Sequence, residues 1–107
     1  MKPGIVLSGK HAETNWNALR LANPALDKGD EVRVFLMGEG VEYEKTSSEK
    51  FNITTQVEKI LSNKSAQLMA CGTCLKSRNE EGTETCPLST LNDFYGVVEW
   101  SDKLLAF

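Results

Sequence analysis

Histidine occurs once in this chain of 107 residues, proline three times, and no stretch runs basic residues together. Lysine and arginine are spread from Lys2 to Lys103, and the formal net charge is −3. A nucleic-acid binder concentrates positive charge, because phosphate contacts supply most of its affinity. Nucleic acid is therefore not an expected partner. No apolar run approaches the roughly 20 residues that cross a bilayer, so no membrane partner is expected. Met1-Lys2-Pro3-Gly4-Ile5-Val6-Leu7-Ser8 carries one positive side chain before a very short apolar stretch, which is not the pattern of a signal peptide. The expected location is cytoplasmic. Asn52-Ile53-Thr54 matches the glycosylation pattern, but a chain kept inside the cell never meets that machinery. Internal repeats and low-complexity segments are also missing.

What is present is ordinary globular composition, 40% hydrophobic and 25% charged. The length suits one domain, here taken as residues 1–107, with room for a core that needs no metal or disulfide. Gly4–Ser8 reads as a buried strand. Glu13–Lys28 reads as a helix, with Trp16, Leu19, Ala22 and Leu26 on one face and Ala18 and Ala25 on its flank. Pro24 predicts a kink or break inside it. Glu31–Met37 is β-branched and aromatic between glycines, a second strand. Gly38-Glu39-Gly40 then turns the chain, and residues 41–50 hold at most a short helix and a loop. Ile53, Val57, Ile60 and Leu61 mark the next helix; Ala66–Ala70 reads as a third strand ending at Cys71. Thr73–Arg78 is short and helical, Asn79–Glu84 a charged loop, and Thr85–Leu88 a candidate fourth strand. Leu91, Phe94, Tyr95 and Val98 predict the buried face of a last helix, and Leu104–Phe107 a terminal strand. Alternating strands and helices predict an α/β fold, a mainly parallel sheet of about five strands with helices on both faces. Functional residues in such sheets gather at the carboxyl ends of strands.

Ala70-Cys71-Gly72-Thr73-Cys74-Leu75-Lys76-Ser77-Arg78 is where chemistry is concentrated. A thiol reacts as thiolate. At a helix N-terminus the unpaired N–H groups and the helix dipole favour the anion, so Cys71 is expected to have a lowered pKa. Gly72 permits the tight turn, Lys76 and Arg78 add positive charge, and Cys74 is one helical turn away, within reach as a resolving thiol. The same spacing also fits a Cys71–Cys74 thiol-disulfide oxidoreductase or two buried structural thiols in an interaction module. A zinc site from Cys71, Cys74, Cys86 and His11 has enough ligands but only one C-x-x-C knuckle, so no metal is expected.

Three blocks together resemble the DsrE-like proteins (DsrE, DsrF and TusD-type sulfur-relay subunits). They are Asn17–Ala22 through Gly29–Val41, then Ala70–Arg78, then Trp100–Phe107. The resemblance implies a three-layer α/β/α flavodoxin-like domain, assembled as a trimer, hexamer or mixed complex. It implies a cysteine that accepts persulfide sulfur from a donor protein and passes it to an acceptor protein, hence a sulfurtransferase. By the family's spacing, Cys71 and Arg78 are the matching positions. Cys74 departs from subunits with a small non-thiol residue there. Cys86 has no role to carry over. Sulfur exchange between thiolates and persulfides needs no external cofactor.

His11 lies in a polar loop after the first strand; it can shuttle protons near neutrality but reads more simply as a solvated residue. Gly38-Glu39-Gly40 lacks the spacing of a phosphate loop and reads as the rim of the pocket. Trp16 and Trp100 are expected in the core or a subunit contact. Glu39, Glu42, Glu44 and Glu49 are expected to form a solvated acidic loop.

Overall fold

The computed structural model describes residues 1–79 and 88–107. Its strands are β1 (Pro3–Leu7), β2 (Val32–Leu36), β3 (Ala66–Cys71), β4 (Leu88–Ser89) and β5 (Lys103–Ala106). They pair in parallel in the order β4-β3-β2-β1-β5. Strands pressed between helix layers carry apolar side chains on both faces, and β1 is buried along its whole length.

Helix starts are set by polar caps. In α1 (Ala12–Asp27) the cap is His11, whose Nδ1 accepts from the Thr14 N–H at 3.4 Å. In α3 (Ile53–Leu61) it is Asn52, accepting from Thr55 N–H at 3.0 Å. In α5 (Leu91–Trp100) Thr90 and Asp93 cap each other reciprocally, at 3.2 and 2.8 Å. Two short helices complete the described set, α2 (Tyr43–Thr46), which comes after a 3₁₀ turn at Gly38–Glu42, and α4 (Gly72–Lys76).

The order of the strands decides which face each helix covers. From β1 to β4 the chain steps one way across the sheet, so right-handed crossovers put α1 and α3 on one face, where they pack together. The return to the far side of β1 for β5 reverses the step and puts α5 on the other face. Side chains alternate accordingly. Ile5, Leu7, Val32, Val34, Leu36, Leu68 and Ala70 meet Leu19, Ala22, Ile53 and Ile60 of α1 and α3. Phe35, Met69 and Cys71 point the opposite way, toward Phe94 and Val97 of α5; the Phe35 and Phe94 rings stack at 4.8 Å.

Two sequence expectations need correction, and a third falls largely outside the described residues. The helix does not break at Pro24: α1 continues to Asp27, and Lys28 N–H donates to the Pro24 carbonyl at 3.1 Å. Pro24 stands in the last turn, where it deprives only the carbonyl of solvent-facing Arg20 of a partner. The buried face of α5 is Val97 with half-buried Phe94, whereas Leu91, Tyr95 and Val98 are exposed. That helix bears two adjacent apolar stripes, and only one can meet the sheet. Finally, β4 is confined to Leu88–Ser89 among the described residues; the expected loop 79–84 and the start of the fourth strand lie almost wholly outside them, as does Cys86.

Candidate functional site: a thiol pair at the end of the third strand

Cys71 is the last residue of β3 and the N-cap of α4, with extended backbone angles (φ −60°, ψ 117°). It pairs in register with Ser89 of β4. Gly72 lets α4 start close against that strand; a Cβ there would lie 3.2 Å from the Ser89 carbonyl oxygen, a tight contact. The Cys71 side chain turns to the α5 face, beside Met69 and Phe35, and is only 6% exposed.

The expected lowered pKa at Cys71 is not what this geometry yields. Burial pushes the thiol up, and the neighbouring Cys74 thiol, in hydrogen-bond contact, pushes the same way. The backbone N–H groups of Cys74 and Thr73 favour the anion but are outweighed, and no hydrogen bond of full capping geometry reaches the Cys71 side chain. A five-residue helix supplies too few aligned peptides to compensate for desolvation.

Cys74 is half-buried and packs against both core clusters. Its sulfur accepts the Gly38 N–H at 3.2 Å. Gly38 comes just after β2, the neighbour of β3 in the sheet, and adopts φ +54°, a conformation that glycine takes without strain. Gly40, in the same turn, is required for a different reason, since a Cβ there would overlap the Leu7 carbonyl. The glycine turn read as a pocket rim thus supplies a donor directly to the second sulfur.

The two cations expected to help Cys71 do not act on it. Thr73 and Lys76 face solvent. Arg78 bends back, with Nη1 donating to the Cys74 carbonyl at 3.1 Å and Nε 3.6 Å from Glu42 Oε1. The same Glu42 oxygen holds Lys45 Nζ at 3.2 Å, and these partners hold its carboxyl below the usual range. Arg78 therefore ties α4 to the 3₁₀ turn and fixes the backbone that carries Cys74. Glu39 meets Lys10 at 3.5 Å, so the acidic loop is partly paired within the chain.

His11 serves as the cap of α1, and its Nδ1 also meets Thr14 Oγ1 at 3.1 Å. Among the described residues, no three His, Cys, Asp or Glu side chains converge as a metal-holding group. Trp16 and Trp100 are half-buried and each lies under an arginine, Arg20 at 4.1 Å and Arg33 at 4.2 Å. The contacts of Gly38 and Glu42 with the thiol segment are not visible in the sequence pattern. The signal that would have found them is topological: the ends of β2 and β3 are adjacent, so the turn after β2 faces the helix after β3. No helix among the described residues is long and apolar enough to cross a membrane.

Comparison with known proteins gives a consistent picture. The DsrE/DsrF-like family matches residues 1–107. An uncharacterized protein of Methanopyrus kandleri is 32% identical over 100 residues, covering 89% of this chain and 83% of that protein. An uncharacterized protein of Methanocaldococcus jannaschii is 33% identical over 101 residues, covering 89% and 88%. Among solved structures, the ychN protein from E. coli superimposes with a TM-score of 0.82 at 23% identity over the whole of both chains. That likeness establishes the flavodoxin-like α/β fold.

Proposed function

From the premise that this chain belongs to the DsrE/DsrF-like family, we propose that it is a sulfur carrier that holds persulfide sulfur on Cys71. The observation that carries the reading is the place of Cys71, at the carboxyl end of a central parallel strand where such sheets keep their functional residues. The exchange balances without a cofactor. The Cys71 thiolate attacks the outer sulfur of a donor persulfide, the donor S–S bond breaks, and the donor thiolate leaves with the proton that Cys71 gave up. An acceptor thiolate then removes the outer sulfur by the same step.

A raised thiol pKa changes the kinetics of this reading. Little thiolate exists at neutrality, but each thiolate is the stronger nucleophile, because nucleophilicity rises with pKa. Donor and acceptor are proteins on this reading, in a reducing cytoplasm that keeps thiols free. Assembly into a homo-oligomer or mixed complex is supported by the exposed apolar stripe of α5 and the bare edge strand β5.

The test is intact mass after incubation with glutathione persulfide. The reading expects the gain of one sulfur atom on wild type and none at that position in Cys71→Ser. Its loading rate should climb with pH beyond the free-thiol range of about 8.5. Reduced wild-type protein that never gains sulfur would end the proposal.

A further inference from the structure

The carrier reading uses one thiol, yet the site holds two, and they are not equivalent. Cys71 is almost sealed, whereas Cys74 is half-exposed and its sulfur receives the Gly38 N–H at 3.2 Å. The Gly38 N–H thus orients the Cys74 sulfur from the end of β2. Arg78 and Glu42 hold the backbone of Cys74 in place from the other side.

We propose that Cys74 discharges the Cys71 persulfide within the chain, releasing hydrosulfide and leaving a Cys71–Cys74 disulfide. The inference rests on the carrier reading and assigns the site a second exit. The Cys74 thiolate attacks Cys71 Sγ, the inner sulfur of the persulfide. The bond from Cys71 Sγ to the outer sulfur breaks, the S–S bond between the two cysteines forms, and the outer sulfur leaves as hydrosulfide with its own proton. The outer sulfur gains two electrons; the two cysteine sulfurs together lose two. A dithiol reductant from outside resets the pair.

Burial is what separates the two exits. The outer sulfur stands about 2.0 Å beyond Cys71 Sγ along the S–S bond, so it projects away from a thiol that is itself nearly sealed. Once loaded, the outer sulfur occupies the path by which the donor reached Cys71, so an external thiol meets it first, whereas Cys74, one helical turn on, neighbours the inner sulfur. Protein acceptors take the outer sulfur; Cys74 alone takes the inner one. Disulfide formation also moves the Cys74 sulfur toward Cys71 and draws it off the Gly38 N–H, loosening the tie between α4 and the turn after β2.

The experiment loads wild type, Cys74→Ser and Cys71→Ser with glutathione persulfide, desalts them, and tracks released sulfide by monobromobimane trapping beside intact mass. Wild type should release sulfide and lose two hydrogens relative to reduced protein. Cys74→Ser should keep the extra sulfur at least about tenfold longer. Trypsin cleavage after Lys64 and Lys76 puts both cysteines in peptide 65–76 and Cys86 in another. The disulfide should lie within peptide 65–76, a measurement on wild type that stands even if the variant fails to fold. Wild type that keeps its persulfide as long as Cys74→Ser overturns the discharge and leaves the carrier intact, as does a disulfide to the peptide of Cys86. Wild type and Cys74→Ser that both gain no sulfur, with no sulfide released, remove the carrier reading itself.

Discussion

The two faces of the sheet are covered very differently. On one, α1 and α3 close over β1, β2 and β3 with fully buried Leu19, Ala22, Ile53 and Ile60. On the other, α5 buries Val97 and half-buries Phe94, while Leu91 and Tyr95 are each 63% exposed; β5 is open to solvent along its length, with Leu105 beside Leu21 and Ala25 of α1. The closed face has what an independent core needs. The open face keeps an apolar stripe that the described residues leave exposed, and it is the face on which Cys71 lies. The larger core thus lies on one side of the sheet, while the other carries Cys71 and the exposed stripe of α5, with Cys74 between the two.

The sharpest break of that contrast is Leu19→Ala. It should cost about 2–5 kcal/mol, read as a lowered urea midpoint, because the closed face cannot collapse around the lost side chain. A cost near zero would mean that this face is looser than its packing indicates. Next comes pH. The Cys71 thiol is pushed up in the fold, so the neutral form is favoured there. Its contribution to stability is complete below the usual thiol range and is lost as pH rises from about 8.5 through the folded value. The stability difference between wild type and Cys71→Ser should be flat near neutrality and fall under alkaline conditions; a difference that grows with pH would reverse the assignment.

On the open face, Tyr95→Ala should change monomer stability by less than about 0.5 kcal/mol, yet lower the sedimentation mass if copies assemble through that stripe. Smallest is Glu42→Gln, which removes the anion between Arg78 and Lys45. The pair is half-buried yet reaches the surface, where solvent and salt screen it, so its effect should shrink further in salt. Glu42 has a lowered carboxyl pKa. Its contribution is present above about pH 4.3 and lost as pH falls through the folded value.

Much of this architecture is readable from residue order. The run Val-Arg-Val-Phe-Leu can be little but a strand, and Ile53, Val57 and Ile60 can share only one helical face. The C-x-x-C segment stands out in the sequence, and the blocks around it point to the family that residues 1–107 match. The acidity of Cys71 is not readable in this way. The helix start that favours its anion is local, while the burial that outweighs it comes from Met69, Phe35 and their neighbours.

Local periodicity and composition determined the elements and their parallel pairing and singled out the C-x-x-C segment, because each depends on residues a few positions apart. Only the tertiary structure decided which apolar stripe of α5 meets the sheet, that Arg78 serves Glu42 and the Cys74 carbonyl, and that Gly38 supplies a proton donor to Cys74. Those outcomes arise from the direction of the crossovers and the adjacency of β2 and β3, which join residues 36 positions apart. No local pattern carries that information.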